Sequence, residues 1–236
     1  MNKNIVYFIL SFTCLFFLSC GNATKQTNVE YSEELVKRAE QGDVDAQCDL
    51  GYVYSEGRGI AKDYTKSFEW TKKAAEQGHK NAQCNMGVDY EFGLGVIQDF
   101  EEAVRWYRKS AEQDYADGQY RLGNCYFFGN GVPKDYDEAV RWYKKAASQG
   151  HIDATCNLAD CYFNGVGVPK DAVEAVRLLK KAADVSERND IYYNLGVCYE
   201  NGLGVSQNVN EAVEWYKKAA DKGNENAKKA LRDLGY

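Results

Sequence analysis

Two histidines and eight cysteines are the side chains of this 236-residue sequence best suited to binding a metal or forming a covalent bond. His79 and Cys84 stand in a His-x4-Cys arrangement in QGHKNAQC, and His151 and Cys156 repeat it in QGHIDATC. Imidazole and thiolate are ligands that zinc accepts, but a closed zinc site needs four of them converging on one point. These two pairs are copies of one another set far apart in the chain, and each follows a glycine that ends a helix. They supply two ligands per copy rather than four per site, so no metal and no cofactor is expected. The Gly-x-Gly stretches, such as Gly57-Arg58-Gly59 and Gly93-Leu94-Gly95, invite comparison with phosphate loops. They lack the Gly-Lys-Ser/Thr that would cradle a phosphate, and they precede capped helices by several residues. Catalysis needs convergent, unrepeated groups; none is found, and the chain is not expected to be an enzyme.

The cysteines follow a column pattern instead. Cys48, Cys84 and Cys156 share one repeat position, and Cys125, Cys161 and Cys198 share another. In an exported chain these six could form three disulfides in any of 15 connectivities. Small buried residues at packing positions are the preferred reading.

The element that must position all of these is a repeat of ~36 residues, a period that marks a solenoid or array. Trp70, Trp106, Trp142 and Trp215 mark it, with Leu178 in the remaining copy. Gly51, Gly87, Gly123, Ala159 and Gly196 keep the same step, and so do Tyr54, Tyr90, Tyr126, Tyr162 and Tyr199. Each copy reads as two helices. Helix A carries an apolar stripe, Ala46, Leu50, Val53 and Tyr54 in the first copy. The glycines within it are costly in an isolated helix, so their repetition implies close approach of a neighbour. A Gly-x-Gly loop follows, because glycine accepts the left-handed conformation at a helix end. Helix B opens on capping-box pairs, Asp99/Glu102, Asp135/Glu138, Asp171/Glu174 and Asn208/Glu211; the first copy departs with Lys66 after Asp63. The Lys pairs near its end, such as Lys144-Lys145, suit the negative end of the helix dipole.

These motifs resemble the Sel-1-like repeat, a relative of the tetratricopeptide repeat. The stretch that carries the resemblance best is GQYRLGNCYFFGNGVPKDYDEAVRWYKKAASQG, Gly118 to Gly150. The resemblance implies an all-α, right-handed α/α solenoid over residues 31–236. Its five repeats are placed at 44–78, 80–114, 116–150, 152–187 and 189–223, with flanking cap helices at 31–42 and 225–236. Some cysteine-rich relatives are linked to β-lactam binding or hydrolysis, but no Ser-x-x-Lys occurs here, so the serine β-lactamase signature is absent. In relatives with disulfides the pairs bridge the two helices of one repeat. No cysteine falls on a helix B here, and that scheme does not carry over.

The first residues read separately. Met1-Asn2-Lys3-Asn4 precedes an uncharged run from Ile5 to Leu18, then Ser19-Cys20, the layout of a secretory signal. The run is too short to span a bilayer, which takes ~20 residues. Cys20 after Ser19 resembles a bacterial lipoprotein signal, with Phe17 where leucine is usual. The expectation is a signal peptide over 1–19, a lipidated Cys20, and a flexible tether over 20–30; an ordinary signal peptide is the alternative. The formal net charge of −6, with no basic cluster, argues against nucleic-acid binding. A lipid-anchored location in a bacterial cell envelope, facing the periplasm, follows.

Off the apolar stripe, helix A presents Asp49 and Tyr52, Asn85, Arg121 and Asn124, Asn157 and Asp160, and Asn194. Phe92 and Phe128 lie one turn further on. An asparagine amide both donates and accepts, so in tetratricopeptide-like grooves it can hold the backbone of an extended peptide. These ten residues are the expected partner-binding groove. The function expected is a membrane-tethered envelope scaffold that binds a protein or peptide. The alternative is a regulator of envelope enzymes or a weak cell-wall or β-lactam-binding protein. The lipid anchor yields a direct test: Cys20→Ala shifts the protein from the membrane fraction to the soluble fraction in cell fractionation. A mature chain that starts elsewhere and carries no lipid overturns the expectation.

Overall fold

The computed structural model describes residues 29–236, so the signal segment and Cys20 lie outside the described residues. Among the described residues the regular structure is α-helical throughout, and it falls into two compact units, 29–151 and 152–236. The first unit contains α1 (Glu33–Glu40), α2 (Val44–Glu56), α3 (Tyr64–Glu76), α4 (Lys80–Phe92), α5 (Phe100–Glu112), α6 (Ala116–Phe128) and α7 (Tyr136–Ser148). The second contains α8 (Ile152–Asn164), α9 (Ala172–Val185), α10 (Asn189–Asn201), α11 (Val209–Asp221) and α12 (Glu225–Asp233). In each unit successive helices pack on one another as hairpins. This is the α/α solenoid architecture that the repeat implied.

Within a hairpin, the contact between helix A and helix B is set by glycine. A methyl group on Gly87, Gly123 or Gly196 would run into the ring of Tyr107, Tyr143 or Tyr216, and those rings are fully buried. The first copy sets Gly51 against Thr71. In the fourth, Ala159 and the smaller Leu179 hold the matching positions, both buried. The exchange of glycine for alanine is therefore matched by the exchange of a ring for an aliphatic chain.

Helix B starts on Asp63, Asp99, Asp135, Asp171 and Asn208, each accepting from the backbone N–H three residues on. The second arm of the expected capping box is replaced. The N–H of each N-cap residue donates to the carbonyl of the repeated tyrosine in helix A, Tyr54, Tyr90, Tyr126, Tyr162 or Tyr199, at 2.8–3.0 Å. That donor being taken, Glu102, Glu138 and Glu174 turn to Arg105, Arg141 and Arg177. Glu211 accepts from the Trp215 indole at 3.2 Å.

Lysines near the end of helix B have a second role besides the dipole. The ammonium groups of Lys73, Lys109, Lys145 and Lys218 lie 3.7, 3.8, 4.1 and 4.1 Å from the ring centres of Trp70, Trp106, Trp142 and Trp215. Such cation–π contacts contribute ~0.5–1 kcal/mol at exposed sites.

Repeats in the unit 29–151 are joined by buried glutamines. Gln47, Gln83 and Gln119 donate to the carbonyls of Ala39, Ala75 and Ala111 at 3.0, 3.2 and 3.3 Å. Their own carbonyls accept from Gln77, Gln113 and Gln149 at 2.7, 2.7 and 2.8 Å. Each helix A is thus tied to the end of the preceding helix B and of the following one. In the unit 152–236, Arg188 bridges Asp153 and Asp190, Lys222 pairs with Glu187, and Asn224 reaches the Asn189 carbonyl at 3.3 Å.

The second glycine of the loop seals the joint between repeats. Gly131 has φ +70, and a methyl there would overlap the Phe100 carbonyl at the start of α5. Gly129 has φ +78 but meets only Lys134, at 3.3–3.4 Å at the nearest. Forcing alanine into the left-handed region costs ~1–3 kcal/mol at either site, and the backbone overlap adds to it only at Gly131. Gly131→Ala therefore lowers the thermal midpoint more than Gly129→Ala does. Equal losses, measured by thermal unfolding, would show that the joint is not closely packed.

Candidate partner-binding face

Each hairpin turns one side of its helix A away from helix B, and the ten groove residues fall in the two units separately. In the unit 29–151, α4 and α6 touch, and Asn85 on α4 and Arg121 on α6 hold equivalent positions of the repeat. All of these residues except Phe128 are half-buried. Tyr52 lies under the Arg58 guanidinium at 4.9 Å. Burial, then Asp45, holds the Asp49 carboxyl above its usual range. Phe128 is 60% exposed, its ring edge-on to Phe127 at 5.1 Å.

Arg121, Asn124 and Phe92 are engaged by the fold itself. Arg121 pairs with Glu91 at 3.7 Å, its side chain only 16% exposed, and its guanidinium stands 5.9 Å from the Tyr107 ring centre. Asn124 accepts from the Tyr143 hydroxyl at 2.7 Å. Phe92 packs onto the cluster formed by Cys84, Val88, Val104 and Tyr107. In the unit 152–236, Asn157, Asp160 and Asn194 are half-buried. Burial, reinforced by Asp190, pushes the Asp160 carboxyl up to about 8.

Glu91 and Glu200 were not singled out in the sequence, yet they receive the hydroxyls of Tyr107 and Tyr216. Their signal was present: both stand four residues after the helix-A glycine. In the third copy that position is Phe127, and the Tyr143 hydroxyl turns to Asn124 instead.

The histidines serve as clasps. Nδ1 of His79 accepts from the Ala82 N–H at 3.2 Å and caps α4, while Nε2 faces Asp45 at 3.2 Å. His151 is buried, with Nε2 3.0 Å from Asp117 and its ring stacked on Tyr120 at 4.5 Å. Each imidazole is engaged with a carboxylate on another helix A. Cys125, Cys156, Cys161 and Cys198 are buried free thiols, and Cys48 is a half-buried one. Burial raises the thiols of Cys125, Cys161 and Cys198 to about 12, which keeps them protonated and poorly nucleophilic. They behave as packing residues.

A profile described as the Sel1 repeat matches residues 44–79, 80–115, 116–151, 152–185 and 191–224. Among solved structures, the chain is similar to c5321, a protective antigen of uropathogenic Escherichia coli strains displaying an SLR fold. The identity is 35% and the TM-score 0.80, over 85% of this chain and 44% of that one. The chain thus spans under half the length of that antigen. It is similar to a Sel1 repeat protein from Oxalobacter formigenes at 37% identity and TM-score 0.73, covering 81% of this chain and 76% of that one. A Klebsiella pneumoniae protein at 22% identity and TM-score 0.55, covering 86% and 99%, shares the fold. Among curated proteins, none matches the sequence.

One residue on helix A breaks its own column. Val53, Cys125, Cys161 and Cys198 occupy a buried position that in the second copy is Asp89. Asp89 is 8% exposed, its Oδ2 has no hydrogen-bond partner, and burial pushes its carboxyl up to about 8. Its folded value lies above its unfolded one, so the protonated form suits the fold. The destabilisation sets in as pH rises above the unfolded value and is complete above about 8. Asp89→Val is therefore expected to stabilise the protein little near pH 4. Above pH 8 the gain becomes on the order of 2–5 kcal/mol, at 1.4 kcal/mol per pKa unit. Urea unfolding at the two pH values checks it; a pH-independent difference overturns the assignment.

Proposed function

The chain belongs to the Sel1 repeat family, whose members are generally protein–protein interaction scaffolds, and on that basis we propose that it is an envelope scaffold holding an extended protein segment on its helix-A face. The observation that carries this reading is the recurrence of Asn85, Asn157 and Asn194 at one position of helix A, each half-buried rather than packed away. In the unit 152–236, Asn157 and Asn194 stand one repeat apart, and each amide can donate to a carbonyl and accept from an N–H of a bound chain. Half-burial limits their rotamers, so less freedom is lost on binding. The anchor in this reading is the lipid on Cys20, with residues 20–30 as the tether and the bilayer of the bacterial envelope as its site.

Arg121 and Asn124 are poor probes of binding, because each already has a partner in the fold, Glu91 and the Tyr143 hydroxyl. The discriminating variant combines Asn85→Ala, Asn157→Ala and Asn194→Ala. A net ~0.5–1.5 kcal/mol per hydrogen bond predicts a ~10- to 1000-fold loss of affinity at 1.4 kcal/mol per tenfold. Circular dichroism should be unchanged. Affinity capture from envelope extract, with the wild-type chain as bait, identifies the partner on which the comparison is made. Equal capture by a folded triple variant would place the partner elsewhere.

A further inference from the structure

Six of the eight large apolar side chains exposed on the described surface, Ile97, Phe100, Phe128, Tyr136, Val173 and Val209, stand where a helix A hands over to its helix B. Four of them belong to the unit 29–151. Ile97 is 88% exposed. Phe127 lies edge-on to both Phe128 and Tyr136 at 5.1 Å, so these rings form one cluster. The turns at the other end of the hairpins are polar: Glu76-Gln77, Glu112-Gln113 and Ser148-Gln149 are all exposed. Scattered exposed apolar residues carry no message, but a concentration on one edge does.

The chain also enters the fold at this edge. The Tyr31 N–H donates to the Arg58 carbonyl in the first Gly-x-Gly loop at 3.0 Å, and Val29 and Tyr31 pack on the same cluster as Ile60 of that loop. From Cys20 to Val29 an extended chain reaches at most about 30 Å. A lipid on Cys20 would attach at the loop edge and keep that edge within this reach of the bilayer.

We propose that the loop edge of the unit 29–151 rests on a zwitterionic lipid surface, with Ile97, Phe100, Phe128 and Tyr136 inserted at the headgroup level. This rests on the anchored reading of Cys20. Aromatic rings favour the boundary between headgroups and acyl chains. The lipid class follows from charge. Asp99, Glu101, Asp135 and Asp137 are exposed beside those rings, and their carboxylates are repelled by anionic headgroups. Lys134 stands over the Tyr136 ring at 5.7 Å, and Arg58 and Lys62 stand in the first loop of the same edge.

The test uses the full chain, purified from membranes and reconstituted into phosphatidylcholine–phosphatidylethanolamine vesicles. These contain a phospholipid that carries a photoactivated diazirine near its headgroup. Flotation reads the anchor, and mass spectrometry of carbene adducts reads the edge. Adducts are expected on 96–101 and 128–137 and not on 148–151. Ile97→Ser/Phe100→Ser/Phe128→Ser is expected to float as well as the wild type and to lose about tenfold of the edge adducts, equivalent to ~1.4 kcal/mol of contact. Phosphatidylglycerol-rich vesicles are expected to reduce the wild-type adducts. Flotation without edge adducts overturns this proposal alone, as does an edge shielded by a second copy of the chain, seen by light scattering. Adducts enriched on anionic vesicles overturn the lipid class. Absence of flotation overturns the anchor reading and this proposal with it. Should the triple variant fail to fold by circular dichroism, the wild-type adduct map decides.

Discussion

Each hairpin depends on how closely helix B can approach the glycine of helix A. A tyrosine ring laid flat on Gly87, Gly123 or Gly196 fills the space that a side chain would occupy, and its hydroxyl reaches past the glycine to Glu91, Asn124 or Glu200. One residue therefore supplies the core ring and a polar tie towards the opposite face. The fourth copy does without this arrangement by pairing Ala159 with Leu179. There the small-large fit is kept, but an aliphatic chain offers no hydroxyl. Packed interiors tolerate exchanges that conserve combined volume better than single changes, which explains why both positions changed in the one copy.

Repeat arrays gain stability from the interfaces between neighbours, and here those interfaces are polar as well as apolar. A buried amide left without partners costs ~1–3 kcal/mol. Gln47, Gln83 and Gln119 avoid this by pairing on both sides, so each is satisfied only when both neighbouring helices are in place. The ladder ends at Gln149, where Thr155 stands in the next copy. The clasps of His79 with Asp45, His151 with Asp117 and Arg188 with Asp153 add a second set of ties at the start of helix A. The Arg188–Asp153 pair is ionic, so it is screened by salt as the glutamine ties are not.

The face proposed to hold a partner is what these ties leave over. Arg121, Asn124 and Phe92 stand on that face, but the fold engages them. The asparagine column, Asn85, Asn157 and Asn194, lies one position along the helix from residues that build the core, and each of the three is half-buried. Asp89 is a different case. It sits at a core position with its Oδ2 unpartnered, so its charged form is expected to cost stability.

Local features were legible in the residues alone because they are decided within a few positions along the chain. The ~36-residue period, the helix pair in each copy, the glycine stops and the Asp or Asn caps all follow from 3.6-residue periodicity and backbone conformations that only some residue types favour. The all-helical solenoid followed from these, and so did the close approach at the glycines. The second arm of the capping box was misread because the N–H of Asp99 or Asp135 is taken by a tyrosine carbonyl of the preceding helix. Lys145 read as a dipole partner, yet it also covers the Trp142 ring. Arg121 read as a groove cation, although Glu91 on another helix neutralises it. Sequence determined which groups each helix carries and on which side. Only tertiary structure decided which of them are engaged within the fold, because a polar side chain pairs with whatever lies within ~3 Å, and here that neighbour is often ~30 residues away along the chain, about one repeat period.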